Sequence, residues 1–181
     1  MRGTAETTSR RALHLWSKIA ERLSKFPARL RVARLLVELG LSITADKKIM
    51  CGPIEMSQAR IAEAADVDRR VVQETAETLM EDPELYKIFS NLKPAGPHLG
   101  TVARYLGYGV VEIWADPHMA GILAAVTALI SDEKISIRQA IAEDPDLVPE
   151  PKLIVVTERE VAGDTLKAIL KVPGVSKVSA Y

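Results

Sequence analysis

Two groups of residues have the types and spacing to do chemistry. The first is Arg69-Arg70 with Gln73 three positions on, preceded by Arg60. An arginine fork pairs with the O6 and N7 edge of guanine, and a glutamine amide with the N6 and N7 edge of adenine, so this set could read DNA. The second is Asp116-Pro117-His118-Met119-Ala120-Gly121, with Ser136 and Gln139 further along. Where a helix begins, free backbone N–H groups and the positive end of the dipole hold a carboxylate. Gly121 would let the backbone approach a ligand, and Asp116 would accept from its ammonium. Ser136 and Gln139 could add polar contacts from the second strand. Asp116 would serve equally as a plain helix cap, and His118 as a surface residue with no catalytic part.

Enzyme chemistry has little to stand on. Cys51 is the single cysteine, with no histidine or asparagine in a signature spacing, and so reads as a packed thiol. It also excludes an internal disulfide and any Cys-rich zinc site. The three histidines are scattered. Residues 1–107 contain no nucleophile–base pair, metal cluster or Gly-rich phosphate loop. The expectation is a non-enzyme without catalytic residues, metal or cofactor.

The elements that must hold these groups follow from periodicity. Val110 to Ala115 alternates as a strand, broken by Asp116-Pro117. Met119, Ile122, Leu123, Val126, Leu129 and Ile130 recur at helical spacing. Strands are expected at Ile135 to Glu143, Leu153 to Thr157 and Val175 to Ala180, with a helix at about Val161 to Leu170 and a proline loop at Pro145, Pro149 and Pro151. The order is βαββαβ, the ferredoxin-like arrangement.

Upstream, a helix starting at Ser9 or Arg10 carries Leu13, Trp16, Ile19, Ala20 and Leu23 on one face. Phe26-Pro27 interrupts it, and a second helix runs to Leu39 with Gly40 beyond its end. Ile49–Cys51 and Ile54–Met56 are strand-like around Gly52-Pro53. Ser57 and Asp68 are N-cap candidates for two helices separated by Asp66-Val67. Ile61, Ala62, Val67, Val71, Val72 and Leu79 can form their core, which is the helix-turn-helix pattern, in a winged version given the strand before it. Its second helix would enter the major groove by its N-terminal residues.

The fold class is therefore α+β: a mostly helical, winged helix-turn-helix domain at 1–92, a connecting segment at 93–107 and a βαββαβ domain at 108–181. Leu99, Val102, Ala103 and Leu106 read as a helix within the connection.

Net charge is zero but unevenly spread: residues 1–40 hold nine Lys/Arg and three Asp/Glu, whereas 108–181 hold seven and eleven. Arg10, Arg11, Lys18, Arg22, Lys25, Arg29, Arg31 and Arg34 lie opposite the apolar faces of the first two helices. They suit phosphate contact or a merely solvated face. Glu74, Glu77 and Glu81 count against DNA. No apolar run reaches the ~18 residues of a membrane span and no signal core opens the chain, so the expected location is cytoplasmic, with no membrane partner.

Asp116, Gly121-Ile122-Leu123 and Ser136-Ile137 resemble the ACT-domain pattern, in which an Asp and a Gly-x-Leu open the first helix and a small polar residue with Ile opens the second strand. The Asp-to-Gly segment is longer than usual, and Ser136 stands where Asn is common. With Cys51-Gly52-Pro53-Ile54-Glu55, Val67-Asp68-Arg69-Arg70-Val71-Val72, Gly107 to Ile113, Ile135 to Pro145 and Pro173-Gly174-Val175, nearly the whole chain resembles the archaeal predicted regulators of amino-acid metabolism. These join an N-terminal helix-turn-helix region to a C-terminal ACT domain.

The resemblance implies a ligand-responsive transcriptional regulator that senses an amino acid or a related small molecule through the ACT domain and binds DNA through the helix-turn-helix. The alternative is an allosteric adaptor whose N-terminal domain binds a protein. ACT domains commonly pair edge to edge, so a homodimer through this domain is implied, with Arg138 and Gln139 as candidates for its interface.

Overall fold

Phe26-Pro27 separates two helices as expected: α1 covers Leu15–Leu23 and α2 covers Pro27–Glu38, with Pro27 in its first turn. The computed structural model describes residues 15–181. The expected helix start at Ser9 or Arg10, with Arg10, Arg11 and Leu13, lies outside the described residues. The chain divides between Ala95 and Gly96 into two compact units.

In the first unit a small antiparallel sheet precedes the helix-turn-helix. Its strands are β1 (Ser42–Ile43), β2 (Ile49–Cys51) and β3 (Ile54–Met56), in that order. Then come α3 (Gln58–Ala65), α4 (Arg69–Glu81) and α5 (Pro83–Phe89). Ile19, Leu23, Val32, Leu36, Ile61, Val72, Leu79 and Phe89 bury their side chains in one shared core, with Val67 and Val71 packed at its margin. Helical spacing of apolar residues thus sets which faces meet. Ser57 occupies the N-cap position of α3, but its side chain makes no capping hydrogen bond.

The second unit carries β4 (Gly109–Ala115), α6 (Ile122–Asp132), β5 (Ile137–Ala142), β6 (Lys152–Thr157), α7 (Gly163–Leu170) and β7 (Val175–Ala180). The sheet order is β5-β6-β4-β7, with every neighbouring pair antiparallel. This is the βαββαβ fold read from the sequence. One face packs Val111, Ile113, Leu153 and Val155 against Val126 and Ile130 of α6 and Ile169 of α7. The opposite face packs Val110, Ile154 and Val156 against Ala103 and Leu99. Cover on both faces is why the central strand β6 reads as an apolar run rather than an alternation.

Two elements differ from their expected form. The helix expected over Leu99 to Leu106 is a pair of 3-10 turns, Leu99–Thr101 and Ala103–Leu106. Gly100 disfavours an α-helix by ~1 kcal/mol relative to Ala, and the tighter turns bring Leu99 and Ala103 down onto the sheet. The helix expected from Met119 begins three residues later, at Ile122, after Gly121 in a left-handed conformation with φ 93°. Met119 therefore belongs to a loop, and Leu123 points to solvent instead of joining Ile122, Val126 and Ile130 in the core.

Candidate functional site

In the first unit, the turn between α3 and α4 is fixed at both ends. Asp66 closes α3 in a left-handed conformation with φ 52°, and Val67 N–H donates back to Ala62 O at 3.0 Å. From α2, Arg31 donates through Nε to Ala65 O at 3.2 Å and through Nη2 to Asp66 O at 2.9 Å. These two carbonyls end α3 and have no partner within the helix, so Arg31 ties the turn to α2. Asp68 then caps α4, accepting from Arg70 N–H at 2.8 Å. Arg69 and Arg70 follow in the first turn of α4, both exposed. Neither makes an ion pair among the described residues. Gln73 is exposed one turn on and donates weakly to Glu77 at 3.4 Å. Arg60, on α3, is paired with Glu63 at 2.8 Å, and both side chains are well exposed.

The acidic residues of α4 are largely accounted for. Arg29 reaches Glu74 at 2.7 Å and Thr78 at 3.1 Å, and Lys47 reaches Glu77 at 3.1 Å. The hydrogen bond from Lys47, helped by Gln73, holds the Glu77 carboxyl below its ordinary value. The basic face of α1 and α2 serves this bracing more than it faces outward. Lys18 pairs with Glu84, and Arg34 pairs with Glu38 at 2.8 Å while lying over the Trp16 ring. Of the described basic residues on that face, Arg22 and Lys25 make no ion pair with a described residue. The pairings of Arg29 and Lys47 join residues 45 and 30 positions apart, which no local spacing rule reveals.

In the second unit, the loop Asp116–Gly121 borders a cavity of about 220 Å³. Its floor is Ile113, Ala115, Ile122 and Leu153, and its walls include Pro117, Met119, Leu123, Ala142, Pro145 and Pro151. Asp116 starts the loop with an Asx turn, its Oδ1 accepting from His118 N–H at 2.9 Å, while its own N–H donates to Gly174 O at 2.9 Å. Asp116 is thus a loop cap, not the cap of α6. Gly121 holds that place without a side-chain cap, so the first N–H groups of α6 have no side-chain acceptor there. A Cβ built on Gly121 would meet nothing within 4 Å. The glycine therefore supplies the left-handed turn and leaves space beside the helix end. Of the expected loop residues, Asp116, Pro117, Met119 and Gly121 line the cavity; His118 and Ala120 are exposed beside it.

Ser136 and Gln139 are not brought to this loop. Ser136 precedes β5 at the end of the sheet where Ile137 pairs with Thr157 and Thr157 pairs with Gly109. Asp116 lies beyond Ala115, at the other end of β4, which is roughly 20 Å away at ~3.3 Å per residue. The Ser136 N–H donates to Glu158 at 3.2 Å. Gln139 accepts from Leu99 N–H and donates to Pro97 O, both at 2.9 Å, fastening residues 97–99 to the sheet. The far end of β5 (Ala142 with Glu143) and the start of β6 (Lys152 and Leu153) border the cavity instead. The antiparallel return from β5 to β6 brings them there, and the prolines at 145 and 151 were the sequence signal for that return. Among the described residues no three His, Cys, Asp or Glu side chains gather as a metal set, and no helix is long and apolar enough to cross a membrane.

No protein-family model matches the sequence, and no curated protein matches it. Solved structures similar to it include a homoserine dehydrogenase from Thiobacillus denitrificans, 20% identical with a TM-score of 0.32, over 67% of this chain and 26% of that one. This chain thus spans about a quarter of the dehydrogenase. They also include an AsnC-family transcriptional regulator from Agrobacterium tumefaciens, 15% identical with a TM-score of 0.26, over 85% and 86% of the two chains. A third is a transcriptional regulator from Neisseria meningitidis in complex with L-Met, 9% identical with a TM-score of 0.25, over 85% and 86%. At these scores the likenesses extend neither to a superposable whole nor to function.

Proposed function

We propose that this chain is a ligand-responsive transcriptional regulator, in which the α3–α4 unit binds DNA and an ACT-like second unit binds an amino acid. The observation that carries the reading is the charge arrangement on α4. Arg69 and Arg70 are exposed in its first turn and form no ion pair among the described residues, whereas Glu74 and Glu77 are held by Arg29 and Lys47. Two of the three acidic residues that would repel a phosphate backbone are thus offset by the fold's own cations, and the third, Glu81, stands at the far end of α4 from Arg69 and Arg70. The groups that would read or clamp the duplex are left outward, where a recognition helix presents them. Gln73 joins the set once it leaves Glu77, and Arg60 contributes from α3.

The effector reading rests on the cavity beside Asp116–Gly121. The exposed start of α6 offers N–H donors and a positive dipole end to a carboxylate, and Asp116 offers an acceptor to an ammonium. The second unit leaves β5 and β7 as sheet edges. Pairing of an edge with a second copy would give a homodimer and set the distance between two α4 helices. The test is retention of the full chain on mixed DNA fragments at low and high salt, with and without amino acids. Wild type is retained at low salt and released as salt rises. Arg69→Ala with Arg70→Ala loses ~1–3 kcal/mol per base-specific contact. Wild type that ignores DNA at low salt, with every amino acid present, hands the function to the alternative, an adaptor whose first unit binds a protein.

A further inference from the structure

We propose that the cavity beside Asp116–Gly121 selects amino acids with an aliphatic or thioether side chain and rejects those with charged or strongly polar ones. This rests on the effector reading and specifies the ligand class. The floor of the cavity is Ile113, Ile122 and Leu153, with no side-chain hydrogen-bonding atom among them. At its mouth, Met119 and Leu123 leave 43% and 47% of their surface open to solvent. Large apolar side chains so placed beside a cavity gain when an apolar group covers them.

Of the three ionisable side chains bordering the cavity, Asp116 is the acceptor that the effector reading gives to the ligand's own ammonium, and the other two already serve partners within the fold. Glu143 accepts from Lys152 N–H at 3.1 Å. The Lys152 ammonium is bound to Glu112 at 2.6 Å and lies 5.4 Å from the Trp114 ring. A charged ligand side chain would lose its water without a partner prepared to replace it. The volume sets the size: about 220 Å³ lies below the roughly 300–1,000 Å³ typical of drug-sized sites. That suits one amino acid and not a nucleotide.

The experiment is calorimetric titration of the full chain with L-valine, L-leucine and L-methionine, and in parallel with L-serine, L-aspartate and L-lysine. The aliphatic and thioether set binds at least about tenfold tighter, the scale at which one or two methylenes discriminate in an apolar pocket. Leu123→Asn removes apolar surface at the mouth from a residue the fold leaves exposed. It lowers L-leucine affinity about tenfold or more with an unchanged thermal midpoint in the absence of ligand. Met119→Ala is the second variant and acts in the same direction.

Aspartate, lysine or serine binding as tightly as leucine overturns the inference and leaves the effector reading standing. So does unchanged leucine affinity in both variants. Absence of binding by all six amino acids overturns the effector reading, and this inference with it.

Discussion

Met119 owes its position to Gly174. A Cβ at residue 174 would stand 2.5 Å from the Met119 sulfur, and the glycine sits at φ 85°, in left-handed space. Gly174→Ala therefore costs about 1–2 kcal/mol in backbone conformation alone, before Met119 is displaced from the cavity mouth. The unfolding free energy of the second unit should fall by that amount and its denaturation midpoint with it, with amino-acid affinity falling alongside. An unchanged midpoint would mean that the loop yields without strain. The arginines of the first unit divide in the same physical way. Arg31→Ala removes two hydrogen bonds to the carbonyls that end α3 and should destabilise that unit by about 1–2 kcal/mol. Arg69→Ala, at an exposed side chain that forms no ion pair among the described residues, should change stability by less than about 0.5 kcal/mol while weakening DNA retention. Urea denaturation of the two variants separates bracing from binding. Equal stability losses would contradict it.

On α4 the charge pattern predicts a response to pH. Lys47 holds the Glu77 carboxyl below its ordinary value of 4.5. A carboxyl depressed in the folded state contributes stability above its unfolded value and loses it as pH falls through the folded one. Wild type should therefore lose stability on acidification below pH 4.5 more steeply than Glu77→Gln, which has no such proton to take up. Urea midpoints at about pH 6 and about pH 3 test this. Parallel changes in the two proteins would show the pair to be energetically silent, as many exposed ion pairs are. The two residues are far apart in sequence, on α4 and in the β1–β2 turn, so the pair is also a tertiary link between helix and sheet.

The described residues form one core in the first unit and a core on each face of the sheet in the second. Residues 93–98, between Leu92 and Leu99, are exposed, which is the kind of segment where nicking concentrates. A nonspecific protease at low dose should cut within 93–98 first and leave two resistant fragments. Early cleavage inside α4 or β6 would contradict separate stability. Sedimentation of the full chain at micromolar concentration tests the proposed homodimer. A monomer there would leave the sheet edges unpaired and remove the proposed means of spacing two α4 helices.

Local chemistry was enough to determine most of the elements. The βαββαβ order follows from where apolar period two gives way to period three and four, and from Pro and Gly at the joins. Asp68 before Arg69 was legible as a cap because capping involves atoms two or three residues apart. What tertiary structure alone decided lies at longer range. The helix-period match at Met119 failed because Gly121 turns the chain left-handed, and a periodicity argument does not contain that conformation. Ser136 and Gln139 were drawn to the Asp116 loop by their polarity. Strand register puts them toward the other end of the sheet, Ser136 against Glu158 and Gln139 against residues 97–99, and brings Ala142, Glu143 and Lys152 to the loop instead. The charge of α1 and α2 was countable in the sequence. Its use was not, because Arg29 with Glu74 and Arg31 with Ala65 and Asp66 meet only once three helices have packed.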